Sequence, residues 1–454
     1  MITTKDTVDA SLRMVNHFRE QEAAITAGAP APINALRRQA LQDFVAQGLP
    51  TRKTENYKYT HLQKAFALDY SFSHHRDVEE FHLETAFKCG IPQLNTHFAT
   101  VRNGWYFAEQ RQALPESVVL DSLMNAAAKF PDVFSKYYGQ QAETSSDALV
   151  ALNTMFAQDG YFLYVPRNVK IEQPIQIVNL LQGNQNAYVT QRNLIIVEPG
   201  AEVSFIICDH TLNDHHYLSN NVTEMFVGEN GVARYYTVQN QHNHAVSVNS
   251  VYTYQERDAR VHTHTITLHG GLIRNNLKVV LDGENGEANL YGMAFLDRKQ
   301  HVDNFTQIVH AKPHCQSNQL YKNVLDDEAT GAFSGRINVR RDAQKTNAFQ
   351  RNNNLLLTDK AQMQTKPQLI IEADDVKCSH GATIGQINEE ALFYLRSRGI
   401  AEKQARLMMM NAFSYEVVQN IAVEPLRDRI NELVEKRLTG DLGRCHDCAY
   451  QCEC

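Results

Sequence analysis

The sequence predicts a mainly β chain built on a parallel β-helix, with helical segments at both ends. Two observations carry this. From about residue 161 to 380, runs such as YFLYV, IQIVNLL, NLIIV and EVSFIIC follow one another, β-branched or aromatic and bounded by Gly, Asn and Asp. No helical period of useful length interrupts them. Within them a turn recurs. Glu198-Pro-Gly, Glu229-Asn-Gly, Glu256-Arg-Asp and Glu284-Asn-Gly each launch a strand, and the glutamates are spaced by 31, 27 and 28 residues. A period of that size marks a stacked array, and an array of strands alone is a β-helix in which each coil buries its apolar face on the next. A sandwich is the competing architecture, but roughly 220 residues is long for one and the loops are too uniform.

Taken in order, the chain opens helical. Leu12, Val15 and Phe18 recur at near-helical spacing, as do Leu36, Leu41, Phe44 and Val45, and Gly48-Leu49-Pro50 ends the second helix. TRKTENYKYT (51–60) alternates aromatics with charges and reads as an ordered loop. Residues 66 to 165 read as α+β, with strands around Val101 to Phe107 and a helix from Leu120 to Phe130. After the β-helix, Asn388 to Arg396 forms a helix capped by Gly399, and Ala401 to Phe413 forms another, whose Met408 and Met409 are core filler or a docking groove. Pro425 opens a last helix with an apolar stripe of Leu426, Ile430, Leu433 and Val434, closed by Gly440. Such a helical end cap either protects the open edge of the solenoid or docks a partner. The division is therefore 1–160 helical and mixed, 161–385 β-helix, 386–440 C-terminal helical domain and 441–454 a Cys-rich tail.

The 454 residues carry a net charge of -7, which argues against nucleic acid or an anionic membrane as the main partner. No apolar run approaches the ~20 residues of a membrane span. The N-terminus MITTKDTVDASLRM lacks the basic and apolar regions of a secretory signal, so the eight cysteines are expected in a reducing compartment, the cytoplasm.

The stretch DDVKCSHGATIGQ (374–386) holds the leading candidate site. On a strand, Cys378 and His380 point to one face, and a thiolate beside an imidazole suits iron or zinc. Gly381 leaves room for another backbone or a ligand. Two residues do not complete a four-coordinate site, so either a partner supplies the rest or both are structural. No phosphate loop, G-x-S-x-G elbow or H-E-x-x-H is present. Arg336, Arg340 and Arg341 bind an anion or form a solvated strand face. Without an assembled active site, a scaffold outranks an enzyme.

Four segments resemble the SufB/SufD family of iron–sulfur cluster assembly proteins: TENYKYT (54–60), LYGMAF (290–295), the long stretch 333–386 and LFYLRSRGI (392–400). The likeness is strongest over about 280 to 415 and sides with the SufD-like branch. It implies a right-handed β-helix between helical ends and a non-catalytic scaffold. The expected partners are a SufB-like paralogue, met through the β-helices, and a SufC-like ATPase, held by the C-terminal helices. It also implies a transient iron–sulfur cluster shared with the paralogue, with His380 facing that subunit and Cys378 beside it. SufB-like chains carry Glu after this histidine, where Gly381 stands here, so this chain is not expected to hold a cluster alone. For ATPase docking the candidates are Leu392, Tyr394, Arg396 and Arg398.

The tail GRCHDCAYQCEC packs Cys445, Cys448, Cys452 and Cys454 around His446, a composition suited to zinc or iron but cramped at its C-x-C end. Eleven of the 19 histidines lie between 210 and 314. If in strands, His242 with His244 and His262 with His264 form an exposed ladder or a metal relay. Cys89, Cys208 and Cys315 read as core thiols. The alternatives to a scaffold are a homodimeric β-helix that binds metal, or a polysaccharide-acting β-helix enzyme. The latter would want a secretion signal and a carboxylate cluster that the chain does not plainly offer. A homodimer formed in isolation is compatible with the scaffold role.

Overall fold

The turn spacing becomes the rise of a solenoid. In the computed structural model, which describes residues 4–76, 94–108, 114–440 and 442, the strands from Tyr161–Val165 to Lys377–Gly385 alternate between two ten-stranded sheets. Each coil gives one strand to each sheet, and pairing along this whole run is parallel. Parallel strands need a long return path, and here the return is the strand on the opposite sheet.

The recurring turn has a definite backbone geometry. Gly200, Asn230, Asp258 and Asn285 all adopt positive φ, at 72°, 56°, 58° and 59°. Gly, Asn and Asp are the residues that tolerate this region. Each places its amide against the next coil. Gly200 N–H donates to Glu229 O at 2.8 Å, Asn230 to Arg257 O at 2.9 Å and Asp258 to Glu284 O at 2.9 Å. The series continues where no sequence signal marks it, through His314 (φ 63°) and Lys345 (φ 61°), which bond Gln344 O and Asp375 O.

Over the earlier coils both faces of the sheets are covered, which explains the near-continuous apolar runs there. The lumen packs Ile175, Ile177, Val203 and Phe205. Outside the first sheet, Phe18, Phe44, Leu149 and Leu152 of the N-terminal helices Thr4–Thr26, Ala31–Gln47 and Ala148–Phe156 meet Tyr188 and Leu218. Outside the second, Leu407, Met410, Leu426 and Ile430 cover Ile206, Tyr236, Ile266 and Leu320. Buried ion pairs fasten the N-terminal layer. Arg192 Nη2 meets Glu224 at 2.6 Å, and Glu224 also accepts the amides of Gly139 and Gln141 at 2.8 Å. Arg274 pairs with Asp303, which also accepts the Thr60 hydroxyl. Tyr57 O–H donates to Asp147 at 2.7 Å, so TENYKYT is a buckle between the N-terminal layer and the sheet.

Three expectations change. Val119–Ser122 is a strand, and the helix begins at Leu123, with the Ser122 hydroxyl accepting Asn125 N–H. The C-terminal helices Glu389–Ser397, Glu402–Val418 and Glu424–Thr439 do not cap the solenoid. They lie along its side, where Arg437 bonds Leu268 O at 2.8 Å and Asp297 at 2.9 Å. Nor is there an exposed histidine ladder. His242 and His244 sit in a turn. His264 is buried under those helices between Tyr236 and Tyr291, with ring centroids 5.1 and 4.7 Å away. Cys208 and Cys315 are buried as expected; Cys89 lies outside the described residues. Among those residues, no helix is long and apolar enough to cross a membrane.

Burial lowers the His264 pKa from 6.5 to about 3. Between those two values the unfolded chain binds a proton that the folded chain refuses, so stability falls as the pH drops through 6.5. His264→Phe, which keeps an aromatic ring between the tyrosines, is expected to lose about 2 kcal/mol less than the parent between pH 7 and pH 5. Urea midpoints at the two pH values measure this.

Candidate functional site

The two ends of the solenoid differ. At the N-terminal end the sheets finish in four-residue antiparallel strands, Trp105–Ala108 and Val119–Ser122. Short edges resist further pairing. At the other end they finish in Gln362–Ile371 and Lys377–Gly385, which are long, parallel and hydrogen-bonded on one side only. Half of the backbone groups of such a strand point outward with no ladder partner. Ile370, Ile371 and Ile384 are exposed there, Ile384 by 47 %, together with Phe349. A long edge with unpaired backbone groups and exposed isoleucines can take another strand, although Lys366, Pro367 and Lys377 interrupt its apolar character.

Cys378 and His380 lie on this last strand, in register with Ala348 and Gln350 of the coil beneath. They share the lumen-facing side as the strand period requires, but their surroundings differ. Cys378 is half-buried against the cluster of Ile337, Val339 and Ala348, and burial pushes its thiol pKa up. A protonated thiol is a poor ligand until something displaces its proton. His380 is exposed, because no further coil covers it. A Cβ built at Gly381 would meet no atom within 4 Å. The chain's own packing therefore does not require glycine there, and its smallness clears the surface beside the imidazole. Among the described residues no three His, Cys, Asp or Glu side chains converge as metal ligands. One imidazole and one thiol do not complete a four-coordinate site.

The docking candidates separate by helix face. Leu392 is 2 % exposed, packed with Ile387 and Ala405, so it is an internal contact and not a docking residue. Phe393, at 73 % exposure, stands out beside Tyr394, which is also exposed. The Arg398 guanidinium lies 5.2 Å over the Tyr394 ring, while Arg396 pairs with Glu402 at 3.4 Å. Sequence reasoning missed Phe393; the i, i+3 pair Leu392 and Leu395 already marks the inward face.

The remaining metal candidates are dispersed. His216 and His244 stack at 4.8 Å, and His244 Nδ1 is 3.2 Å from Asp214 O. His242 and His244, but not His216, line a groove of about 980 Å³ with Arg298, Gln300 and Asp327, and the three histidines do not converge on one point. Arg336 is half-buried, with Gln368 3.5 Å away. Cys445, His446, Cys448, Cys452 and Cys454 lie outside the described residues.

Family models match nearly the whole chain: a SufBD protein N-terminal region over residues 9–177 and a SUF system FeS cluster assembly, SufBD core domain over 180–413. The chain is 30% identical over 421 residues to the iron–sulfur cluster assembly protein SufD of Escherichia coli, covering 89% of this chain and 92% of that one. It is 29% identical over 429 residues to an iron–sulfur cluster assembly SufBD family protein of Synechocystis, covering 92% and 94%. It is 24% identical over 374 residues to SufB of Bacillus subtilis, covering 81% and 80%.

The two faces of helix Glu389–Ser397 give a direct contrast. Leu392→Ala is expected to cost about 2–4 kcal/mol by opening a buried cavity, whereas Phe393→Ala should stay within about 0.5 kcal/mol of the parent. Denaturant unfolding of the two variants measures the difference.

Proposed function

This chain belongs to the SufBD family of iron–sulfur cluster assembly proteins, and we propose that it serves there as the SufD-type scaffold subunit. In this reading it pairs end to end with a SufB-type chain, offers His380 to iron or a nascent cluster held between them, and carries a SufC-type ATPase on its C-terminal helices. The observation that carries the reading is the exposed imidazole on an unpaired strand edge. Strand addition supplies main-chain hydrogen bonds for affinity, and the exposed isoleucines supply apolar contact. A neutral imidazole binds ferrous iron or an iron–sulfur cluster through a ring nitrogen. Cys378 stands two residues back along the same strand and becomes a ligand only when a cation displaces its proton. Gly381, in place of the Glu of SufB-like chains, leaves the partner to provide the acidic ligand.

Phe393, Tyr394 and Arg398 form an aromatic and cationic patch on the helix that follows the last strand, and this patch is the proposed ATPase contact. Arg396, tied to Glu402, sits at its rim. With no nucleotide motif of its own, the chain takes the energy of ATP from that partner. A second copy of this chain fits the same edge when the paralogue is absent, so the isolated protein forms a homodimer.

The cysteine tail is proposed as a second metal-binding segment. Zinc or iron is the expected ion, because four thiolates within ten residues match their preference. Deleting residues 443–454 is expected to abolish zinc binding by the isolated chain and leave its melting temperature unchanged. Equal zinc content with and without the tail would refute this part.

Co-expression with a SufB-type and a SufC-type chain tests the main reading. A three-component complex that retains iron after anaerobic purification is expected. His380→Ala should leave the complex and its melting temperature intact and lower its iron content about tenfold, the usual scale for a lost ligand or its support. Unchanged iron in that variant rejects the assignment.

A further inference from the structure

The lumen changes character near its open end. Two columns of side chains face each other across the last coils. One runs Leu277, Thr306, Gly335, Pro367, and the other Leu290, Gln319, Gln350, His380, each residue in strand register with the next. The floor is apolar, since Leu277 and Leu290 belong to one hydrophobic cluster. Above it the walls turn polar. Thr306 Oγ1 donates to Gln319 Oε1 at 2.7 Å. Gln319 Nε2 has no partner, and neither do Nε2 and Oε1 of Gln350, although both residues are buried, Gln350 at 1 % exposure. Thr365 Oγ1, on the last strand of the facing sheet, is likewise buried and unpaired. Space for the Gln350 amide is provided across the lumen: a Cβ at Gly335 would stand 2.0 Å from its Nε2.

Buried amides without partners are rare and costly. Three such amide atoms and the Thr365 hydroxyl, all close to an exposed histidine, point to an occupant from outside the polypeptide. We propose that Gln350, backed by Gln319 and Thr365, lines a blind recess that takes up a water-sized polar species with both a donor and an acceptor, entering past His380. Gln350 is then a positioning residue. It holds the imidazole through that occupant, as outer hydrogen bonds orient metal-binding histidines. Glycine at 335 is required so that the amide keeps its place. This rests on the scaffold reading for His380 and adds a residue one coil deeper, inside the chain.

The test uses the full complex with SufB-type and SufC-type chains. Gln350→Leu removes the orphaned atoms at similar size. The melting temperature is expected to hold or rise by about 1–3 °C, while iron retention falls about tenfold. Gly335→Ala, which crowds the same amide, should reproduce the iron loss, and combining the two should add nothing further. If Gln350→Leu does not fold, Gly335→Ala carries the measurement. A high-resolution crystal structure of the unaltered chain should show an ordered water or solute against Gln350. An empty recess there overturns the proposal. So does parent-level iron in Gln350→Leu and Gly335→Ala while His380→Ala loses it, and in that case the scaffold role stands. If His380→Ala also keeps its iron, both readings fall.

Discussion

The structure depends on the hydrogen bonding that each coil offers to the next. In-register parallel strands supply most of it, but the turns fix the register. A one-residue slip would turn every lumen side chain outward. The left-handed residues at 200, 230, 258 and 285 prevent the slip by aiming one amide per coil at a carbonyl of the turn above. With the register held, alternate residues reach the lumen and their neighbours reach the helical layers. The ion pairs Arg192–Glu224 and Arg274–Asp303 can then be buried in the N-terminal layer without losing their geometry. Breaking one partner of such a pair leaves a charge without water, so these pairs specify placement more than they add stability.

The same bonding explains why the candidate site lies where it does. A coil in mid-stack has its lumen residues covered by the coil above. The last coil has none, so a position equivalent to the buried Gln350 is, at His380, open to solvent. No strained backbone or special loop is needed to present the imidazole. Cys378 keeps its cover from Val339 and Ala348 because the corner of the coil closes over it. Two residues that share a face therefore differ in cover, His380 open to solvent and Cys378 shielded, with its thiol pKa pushed up by burial.

Much of this was legible in the sequence, and the limits are physical. The first four turns could be read because Gly, Asn and Asp announce positive φ. The turns at His314 and Lys345 could not, since their residues are ordinary and tertiary bonding imposes the conformation. Cys378 and His380 were found by the strand period of two, but period alone says nothing of cover, so their different burial needed the coil count. The family resemblance supplied the partner side of the reading, which no pattern in the residues carries. Leu392 was misplaced because the likeness marked a segment, while only the helical period tells which of its side chains face in. His264 looked like a surface histidine because its cover is supplied by helices well over a hundred residues later. Gln350 falls inside the segment 333–386 that carries the family likeness, but nothing in that likeness singles it out; its interest lies in bonds it does not make.

The unequal ends of the solenoid limit how it assembles. A repeat protein with two open ends can stack head to tail without limit, as fibrils do. Here the short antiparallel strands Trp105–Ala108 and Val119–Ser122 give the stack a starting point that accepts no newcomer. Growth along the axis is thus terminated on one side, and any chain that joins must bring its own open end to this one. A pair joined in that way would be closed after two members, so an edge open to strand addition would yield a finite particle.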